Sequence, residues 1–234
     1  MVSQRLRYAK YYMGILWKNW TQTRESYAQH GEDLLVKSLL GKVDSFIDVG
    51  ANDGVLFSNT YKFAKAGARG LCFEPSLATC RKLRLNHLFN PSVKCFRQAV
   101  SDQTGNLPFV EEGYEAILSR VGSESASNGS ATTVPAVTLA QVLGRYPTFR
   151  EIDLLSIDVE GHEREVLDGL GEKTIEASII IVEADKTDPK ALLSHSALHA
   201  YEPRFCNGVN YILLHKDQPQ PTSDLPLPKN FQPC

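Results

Sequence analysis

Phe46-Ile-Asp-Val-Gly-Ala-Asn-Asp-Gly54 decides the fold of this 234-residue chain. Three apolar residues, Phe46, Ile47 and Val49, surround a single acid at Asp48, and the run breaks into a turn containing Gly50, Asn52 and Gly54. That is the profile of a buried parallel strand ending in a tight turn, the edge at which open α/β sheets bind ligands. Gly50 has no Cβ, so the backbone there can approach a ligand closely. Asp48 can accept hydrogen bonds from a cationic or hydroxylated ligand. The spacing is Asp-x-Gly-x-x-x-Gly, which is not the Gly-x-Gly-x-x-Gly of dinucleotide sites.

Outward from this strand, predicted at Ser45–Val49, strand-like and helix-like runs alternate. A short helix ending near Leu40 precedes it. A helix over Val55–Lys65, a strand at Arg69–Phe73, a helix over Leu77–His87 and a strand at Val93–Ala99 follow. Leu107–Val110 reads as a short extra strand. Residues 111–132 are rich in Gly, Ser, Ala and Asn and read as a flexible loop of lid length. Thr133–Val137 is strand-like and Leu139–Leu143 a short helix. Ile152–Ile157 and the all-apolar Ser178–Val182 read as buried strands, separated by a helix over Glu163–Leu170. Pro189–Ala200 reads as a helix and Tyr211–His215 as the closing strand. This alternation predicts an α/β, Rossmann-like fold, a mainly parallel sheet with helices on both faces.

Composition narrows the class. Hydrophobic residues make up 42% and charged residues 22%, as in a soluble globular domain. A net charge of -2 gives no global pull toward nucleic acid or an anionic membrane. Five cysteines, an odd number with no Cys-x-x-Cys pair, read as free thiols in a reducing cytoplasm. Residues 1–26 form a separate element. Arg5, Arg7, Lys10, Lys18 and Arg24 occur there without an acid before Glu25, and Leu6, Ala9, Met13, Leu16 and Trp20 recur at helical spacing. The plain reading is a helix packed on its own domain or on a second copy in a homodimer. The sharper one is a basic amphipathic helix, residues 1–20, in peripheral contact with a membrane. The 217–234 tail carries Pro219, Pro221, Pro226, Pro228 and Pro233 and should be extended, poorly ordered or draped on the surface.

Polar residues recur where each strand should end. Strand one delivers Asp48. Strand two delivers Glu74, followed by Pro75, 24 residues after Gly50, where an acid can accept both ribose hydroxyls of a nucleoside. Ala99-Val-Ser-Asp102 follows strand three; Ser101 and Asp102 could receive an adenine amino group. Ser156-Ile-Asp-Val-Glu-Gly-His-Glu163 and Val182-Glu-Ala-Asp185 close the series. Singly, each has a plain explanation: Asp48 or Asp102 as a helix cap, His162 as a surface histidine, Glu163 and Glu165 as a solvated helix face. Together, five acid-bearing strand ends suit a cationic sulfonium carrying a ribose and an adenine.

On these blocks, with Tyr27-Ala-Gln-His-Gly-Glu-Asp-Leu34 and Asn210-Tyr-Ile-Leu213, the chain resembles the FkbM family of S-adenosylmethionine-dependent methyltransferases over residues 27–216. The resemblance implies a class I methyltransferase fold, seven-stranded with a reversed last strand, and O-methylation, commonly of sugar hydroxyls in glycans or natural products. It implies that Asp48, Gly50 and Glu74 bind S-adenosylmethionine, that Asp102 lies near the adenine, and that Asp158 and Glu160 face the reacting groups. Asn52, Gly54, Pro75 and Ser101 belong to the same cofactor edge. The segment between Asp185 and Asn210 is short for the family.

A sugar hydroxyl gains from a base within hydrogen-bond reach. Asp158 is the candidate by position and His162 by its ordinary pKa. Asp158, Glu183 and Asp185, with Glu160, could instead gather a divalent cation, Mg2+ or Ca2+. Two rival classes remain on the sequence. An NAD-dependent sugar-modifying enzyme lacks its glycine fingerprint here, and a non-catalytic adapter on the same fold would not need the intact acids.

Overall fold

The computed structural model describes residues 2–111, 120–121, 130–171, 175–219 and 226–234. In chain order these form α1 (Val2–Thr21), α2 (Glu32–Leu40), β1 (Ser45–Val49), α3 (Tyr61–Lys65), β2 (Arg69–Phe73), α4 (Leu77–Asn86), β3 (Val93–Phe96), β4 (Ala99–Val100), β5 (Gly105–Glu111), β6 (Arg120–Val121) and β7 (Ser130–Val137). Then come α5 (Leu139–Arg145), β8 (Glu151–Ile157), α6 (Glu163–Asp168), β9 (Glu176–Glu183), α7 (Pro189–Leu193), β10 (Tyr201–Cys206), β11 (Asn210–His215) and β12 (Gln232–Pro233).

The main sheet has the order β12-β10-β11-β9-β8-β1-β2-β3. Its centre is parallel, with β1 between β2 and β8, while β11 runs antiparallel to both β9 and β10. Without β12 this is the seven-stranded sheet with one reversed strand that the sequence blocks imply. Alternate residues of each strand face opposite sides, so a continuous apolar run feeds two cores at once. Ile47, Val49, Leu155, Ile180 and Val182 pack with Val142 of α5, Val166 of α6 and Leu192 of α7. Phe46, Leu154, Ile179 and Ile181 pack with Leu35 of α2, Phe63 of α3 and Leu83 of α4. Helices therefore cover both faces.

Several expected elements differ. The run Val93–Ala99 divides between two sheets: Phe96 O accepts the Glu74 amide at 3.0 Å and ends the ladder on β2, after which β4 pairs with β7. A second sheet, β4-β7-β5-β6, thus stands beside the first with its own core of Ala99, Phe109, Val134 and Ala136. Most of the loop expected over 111–132 lies outside the described residues. The helix expected over Val55–Lys65 begins only at Tyr61. Asp53 Oδ1 accepts the Val55 and Leu56 amides at 2.9 and 2.8 Å, and Ser58 Oγ accepts the Tyr61 amide at 3.0 Å. Such local side-chain bonds compete with helical ones.

The helix expected through Ala200 stops at Leu193, and β10 follows, unforeseen because Pro203 interrupts it. A proline is tolerated here because the β10–β11 register shifts between Pro203 and Phe205. In the tail, Phe231 is buried in the core under the sheet and β12 pairs with β10, which adds an eighth strand to the main sheet. All five cysteines are free. Among the described residues no helix is long and apolar enough to cross a membrane.

Gly50 holds the central crossing. It has φ 86°, and a Cβ built on it would lie 1.7 Å from the backbone oxygen of Asp158. The missing side chain therefore lets the ends of β1 and β8 meet, a packing reason for glycine that the sequence reading did not include. Gly171 also has a positive φ of 57°, but open space surrounds its Cβ position. Urea unfolding is expected to show Gly171→Ala costing about 1 kcal/mol and Gly50→Ala about 3 kcal/mol or more. Equal effects would mean that the β1–β8 approach is not under steric control.

Candidate functional site

The carboxyl ends of β1, β2, β8 and β9 stop at one edge and surround a cleft of about 290 Å3. Ala99, Val100 and Phe109 of the second sheet, with Gln98 just before β4, form another wall, and Gln29 and Val209 also line it. Three non-glycine residues have left-handed backbone among those described: Asn52 (φ 50°), Phe57 (φ 57°) and Glu160 (φ 60°). All three line this cleft. Each such residue costs about 1–3 kcal/mol unless its surroundings impose it, and such residues gather at functional sites.

At the β1 end, Asp48 is buried and accepts the Thr60 hydroxyl at 2.6 Å. Desolvation pushes its pKa up to about 7; the Thr60 bond opposes the shift and Asp158 adds to it. Asn59 Nδ2 donates to Ser156 Oγ at 3.1 Å, joining the loop after β1 to β8 inside the cleft. At the β2 end, Glu74 Oε1 accepts the Ser76 amide at 2.7 Å, which fixes the carboxylate against the turn into α4.

The ends of β8 and β9 bring a carboxyl cluster to the cleft. Asp158, Glu160 and Glu183 each present a carboxylate oxygen within 4.8 Å of the others. Glu183 is pushed up to about 9, first by desolvation, then by the charge of Asp158 and a hydrogen bond with it. Glu183 therefore carries a proton at neutral pH and donates it to Asp158, whose own pKa is raised chiefly by burial. Asp185 is exposed on the same wall, and Lys186 makes an ion pair with Glu160.

Of the residues expected from sequence, Asp48, Gly50, Asn52, Glu74, Pro75, Asp158, Glu160, Glu183 and Asp185 come together around the cleft. Gly54, Ser101, Asp102 and His162 are not among its lining residues. Gly54 abuts Leu83 and His87, where a Cβ would lie 2.6 Å from Leu83 Cδ1. Ser101 donates to Asp102 Oδ1 at 2.9 Å and sits 2.9 Å from His162 Nε2. The imidazole also pairs with Glu165 at 3.4 Å, and desolvation lowers its pKa.

Glu163, read as part of a solvated helix face, is buried instead. Its Oε1 accepts the Gly161 amide at 2.9 Å and the Val159 amide at 3.3 Å, because a tight loop lacking regular structure must satisfy its amides somewhere. Glu32 is buried for a comparable reason, receiving Asn207 and Asn210 at 3.0 and 2.8 Å and tying α2 to the β10–β11 turn. Gln29, Asn59 and Lys186 were missed as site residues, since no sequence spacing marks a residue that reaches the cleft from a loop. For Lys186 the only signal was its position just beyond the Glu-Ala-Asp block.

The strand order, the reversed strand and an acid-lined cleft at the carboxyl edge define a class I methyltransferase fold. The sequence pattern of the "Methyltransferase FkbM domain" family matches residues 48–204. The chain belongs to this FkbM family of S-adenosylmethionine-dependent methyltransferases. Among solved structures it is similar to Methyltransferase FkbM from Methylobacillus flagellatus KT, with 12% identity and a TM-score of 0.47. That match covers 74% of this chain and 43% of the other, so the chain spans less than half of that relative's length. It is similar also to an O-methyltransferase from Bacillus cereus in complex with SAH, with 9% identity over 88% and 90% of the two chains and a TM-score of 0.46. A third similar structure is cofactor-bound Rv0187 from MTB, with 10% identity over 88% and 89% and a TM-score of 0.47. No curated protein matches.

The raised pKa of Asp48 has a stability consequence. The folded chain keeps a proton there that an unfolded carboxylate loses at about pH 4. The stability from this proton is full below about pH 4 and is lost as the pH rises through the folded value of about 7. Asp48→Asn is expected to flatten the decline in urea midpoint between about pH 5 and about pH 8 and to equal or exceed the parent at the upper end. An unaltered slope would place an ionised Asp48 in the folded state throughout.

Proposed function

We propose that the chain transfers a methyl group from S-adenosylmethionine to a hydroxyl group, and that the acceptor is a sugar in a glycan or glycosylated natural product. The observation that carries this reading is the gathering of two kinds of group around one cleft. Asp48, Glu74 and the Gln98–Val100 wall suit a nucleoside and its cationic side chain, and Asp158, Glu160 and Glu183 bring carboxyl oxygens within 4.8 Å of one another. Clustered carboxyl oxygens accept hydrogen bonds from several hydroxyls at once, as a sugar presents.

Glu74 is the residue for the ribose hydroxyls, and Asp48 is the buried acid facing a positively charged ligand. S-adenosylmethionine, when bound, supplies an electrophilic methyl group for in-line displacement. The protein's share is then positioning and one proton transfer. Asp158 is the preferred base: it lines the cleft, and the proton on Glu183 holds its carboxylate in place. His162 faces Ser101 and Glu165 instead. Lys186 paired with Glu160 brings a positive charge to the carboxyl cluster, which favours a metal-free reaction. The second reading is a divalent cation, Mg2+ or Ca2+, on Asp158, Glu160 and Glu183. It rests on their mutual proximity.

Calorimetry with S-adenosylhomocysteine and methyl-transfer assays on sugar acceptors test the proposal. Glu74→Ala is expected to weaken binding by about 1–3 kcal/mol, roughly ten- to hundredfold in Kd. Asp158→Asn is expected to keep that affinity within about threefold while lowering turnover by about 10²–10⁴. Chelation is expected to leave turnover unchanged; a loss restored by Mg2+ would favour the cation reading. Binding of S-adenosylhomocysteine without turnover on any hydroxyl acceptor would favour an adapter.

A further inference from the structure

Apolar surface on this molecule is segregated, and so is charge. Nine large hydrophobic side chains are exposed among the described residues, and seven of them lie on α1, on α4 or in the turn just after α4. Trp17 is 65% exposed, Met13 55%, Leu88 58% and Phe89 66%. They form one surface, because Met13, Trp17 and Trp20 follow each other at helical spacing and the Trp20 ring stacks edge-on against Phe89 at 4.7 Å. A patch of this kind on a soluble fold marks an interaction site.

The same two helices hold Arg5, Arg7, Lys10, Lys18, Arg81, Lys82 and Arg84, seven of the chain's 25 basic residues, and none of its 27 acids. The rest of the chain is accordingly strongly acidic. Helix α1 is not a loose arm. Leu16 is buried, Asn19 Nδ2 donates to Asn86 Oδ1 at 3.0 Å, and Trp20 Nε1 donates to Leu85 O at 3.1 Å. Lys65 Nζ closes the helix end on the carbonyls of Asn19 and Gln22 at 2.8 and 2.7 Å. The burial of Leu16 and Asn19 orients α1 and leaves Met13 and Trp17 facing out.

We propose that α1 and α4 together form a docking surface for an anionic lipid bilayer. Tryptophan and phenylalanine insert at the headgroup boundary, and the exposed Lys18, Arg81 and Arg84 meet negative lipid. The charge pattern decides against a second copy as the occupant: two such faces would oppose like charges across an apolar contact. The inference is independent of the reaction assigned above.

Both tryptophans of the chain, Trp17 and Trp20, lie on this surface, so intrinsic emission reports its burial directly. The full chain is mixed with phosphatidylcholine vesicles, with or without about 30 mol % phosphatidylglycerol. The expected result is a blue shift and co-flotation with the anionic vesicles only, reversed by about 0.5 M NaCl. Leu88→Ala with Phe89→Ala, and separately Arg81→Glu with Arg84→Glu, are each expected to weaken partitioning about tenfold while leaving the urea midpoint within experimental error. Absence of partitioning, equal partitioning to neutral vesicles, or a solution dimer that Leu88→Ala with Phe89→Ala splits would overturn the proposal.

Discussion

The contact between Gly50 and the backbone of Asp158 is the constraint on which the site depends. Asp158 N donates to Val49 O at 2.9 Å, and the backbone oxygen of the same residue occupies the space a side chain at position 50 would fill. Two parallel strands are thereby held together to their last residue. The loop after β1 and the loop after β8 then open from one point, and Asp48 and Asp158 fall within electrostatic reach of each other. A larger residue at position 50 would part the two loops that line the cleft.

That closeness has an energetic consequence. Burying carboxyl groups without cations raises their pKa values, and a fold gains nothing from doing so. Here Asp48, Asp158 and Glu183 are all shifted upward, with desolvation the leading cause in each. The Thr60 bond to Asp48, the Glu183 bond to Asp158 and the charge of Lys186 near Asp158 oppose it. Three left-handed residues add backbone strain around the same cleft. Destabilising terms concentrated at one sheet edge, within a sheet that is otherwise apolar and fully paired, are a mark of a site kept for its chemistry. A cationic ligand would reverse the sign of the electrostatic part, since it lowers the pKa values that burial has raised.

How much of this was legible in the sequence follows the range of the interactions. The central strands announced themselves because burial on both faces demands apolar runs, as in Phe46–Val49 and Ser178–Val182. The acids at strand ends were legible for the same reason: they break such runs. The second sheet was not, since β4 has two residues and is made by pairing with β7, where Ala99 meets Ala136. The fate of Val55–Lys65 turned on where the Asp53 and Ser58 side chains point, which no periodicity records. Spacing likewise grouped His162 with Asp158, four residues apart. The left-handed turn through Glu160 and Gly161 carries the imidazole to Ser101 and out of the cleft. Glu163 looked like one more solvated helix acid until its loop's amides needed an acceptor.

Helix α4 shows how the surface and the cleft are mechanically one element. At its start, Ser76 caps the helix by accepting the Thr79 amide at 3.3 Å, while the Ser76 amide itself holds the Glu74 carboxylate. At its end, Asn86 joins α1 through its Oδ1 and donates through Nδ2 to Asp53 O at 2.8 Å, beside the turn that carries Asn52. Both ends of the helix therefore bond to loops that follow β1 and β2, and its exposed residues bear the apolar and basic surface. Hydrogen bonds at the two ends of one helix thus connect that surface to Glu74 and to the β1 turn. The arrangement fixes the orientation of the cleft relative to whatever the α1–α4 surface rests on. An acceptor held at that boundary would meet a cleft of constant tilt.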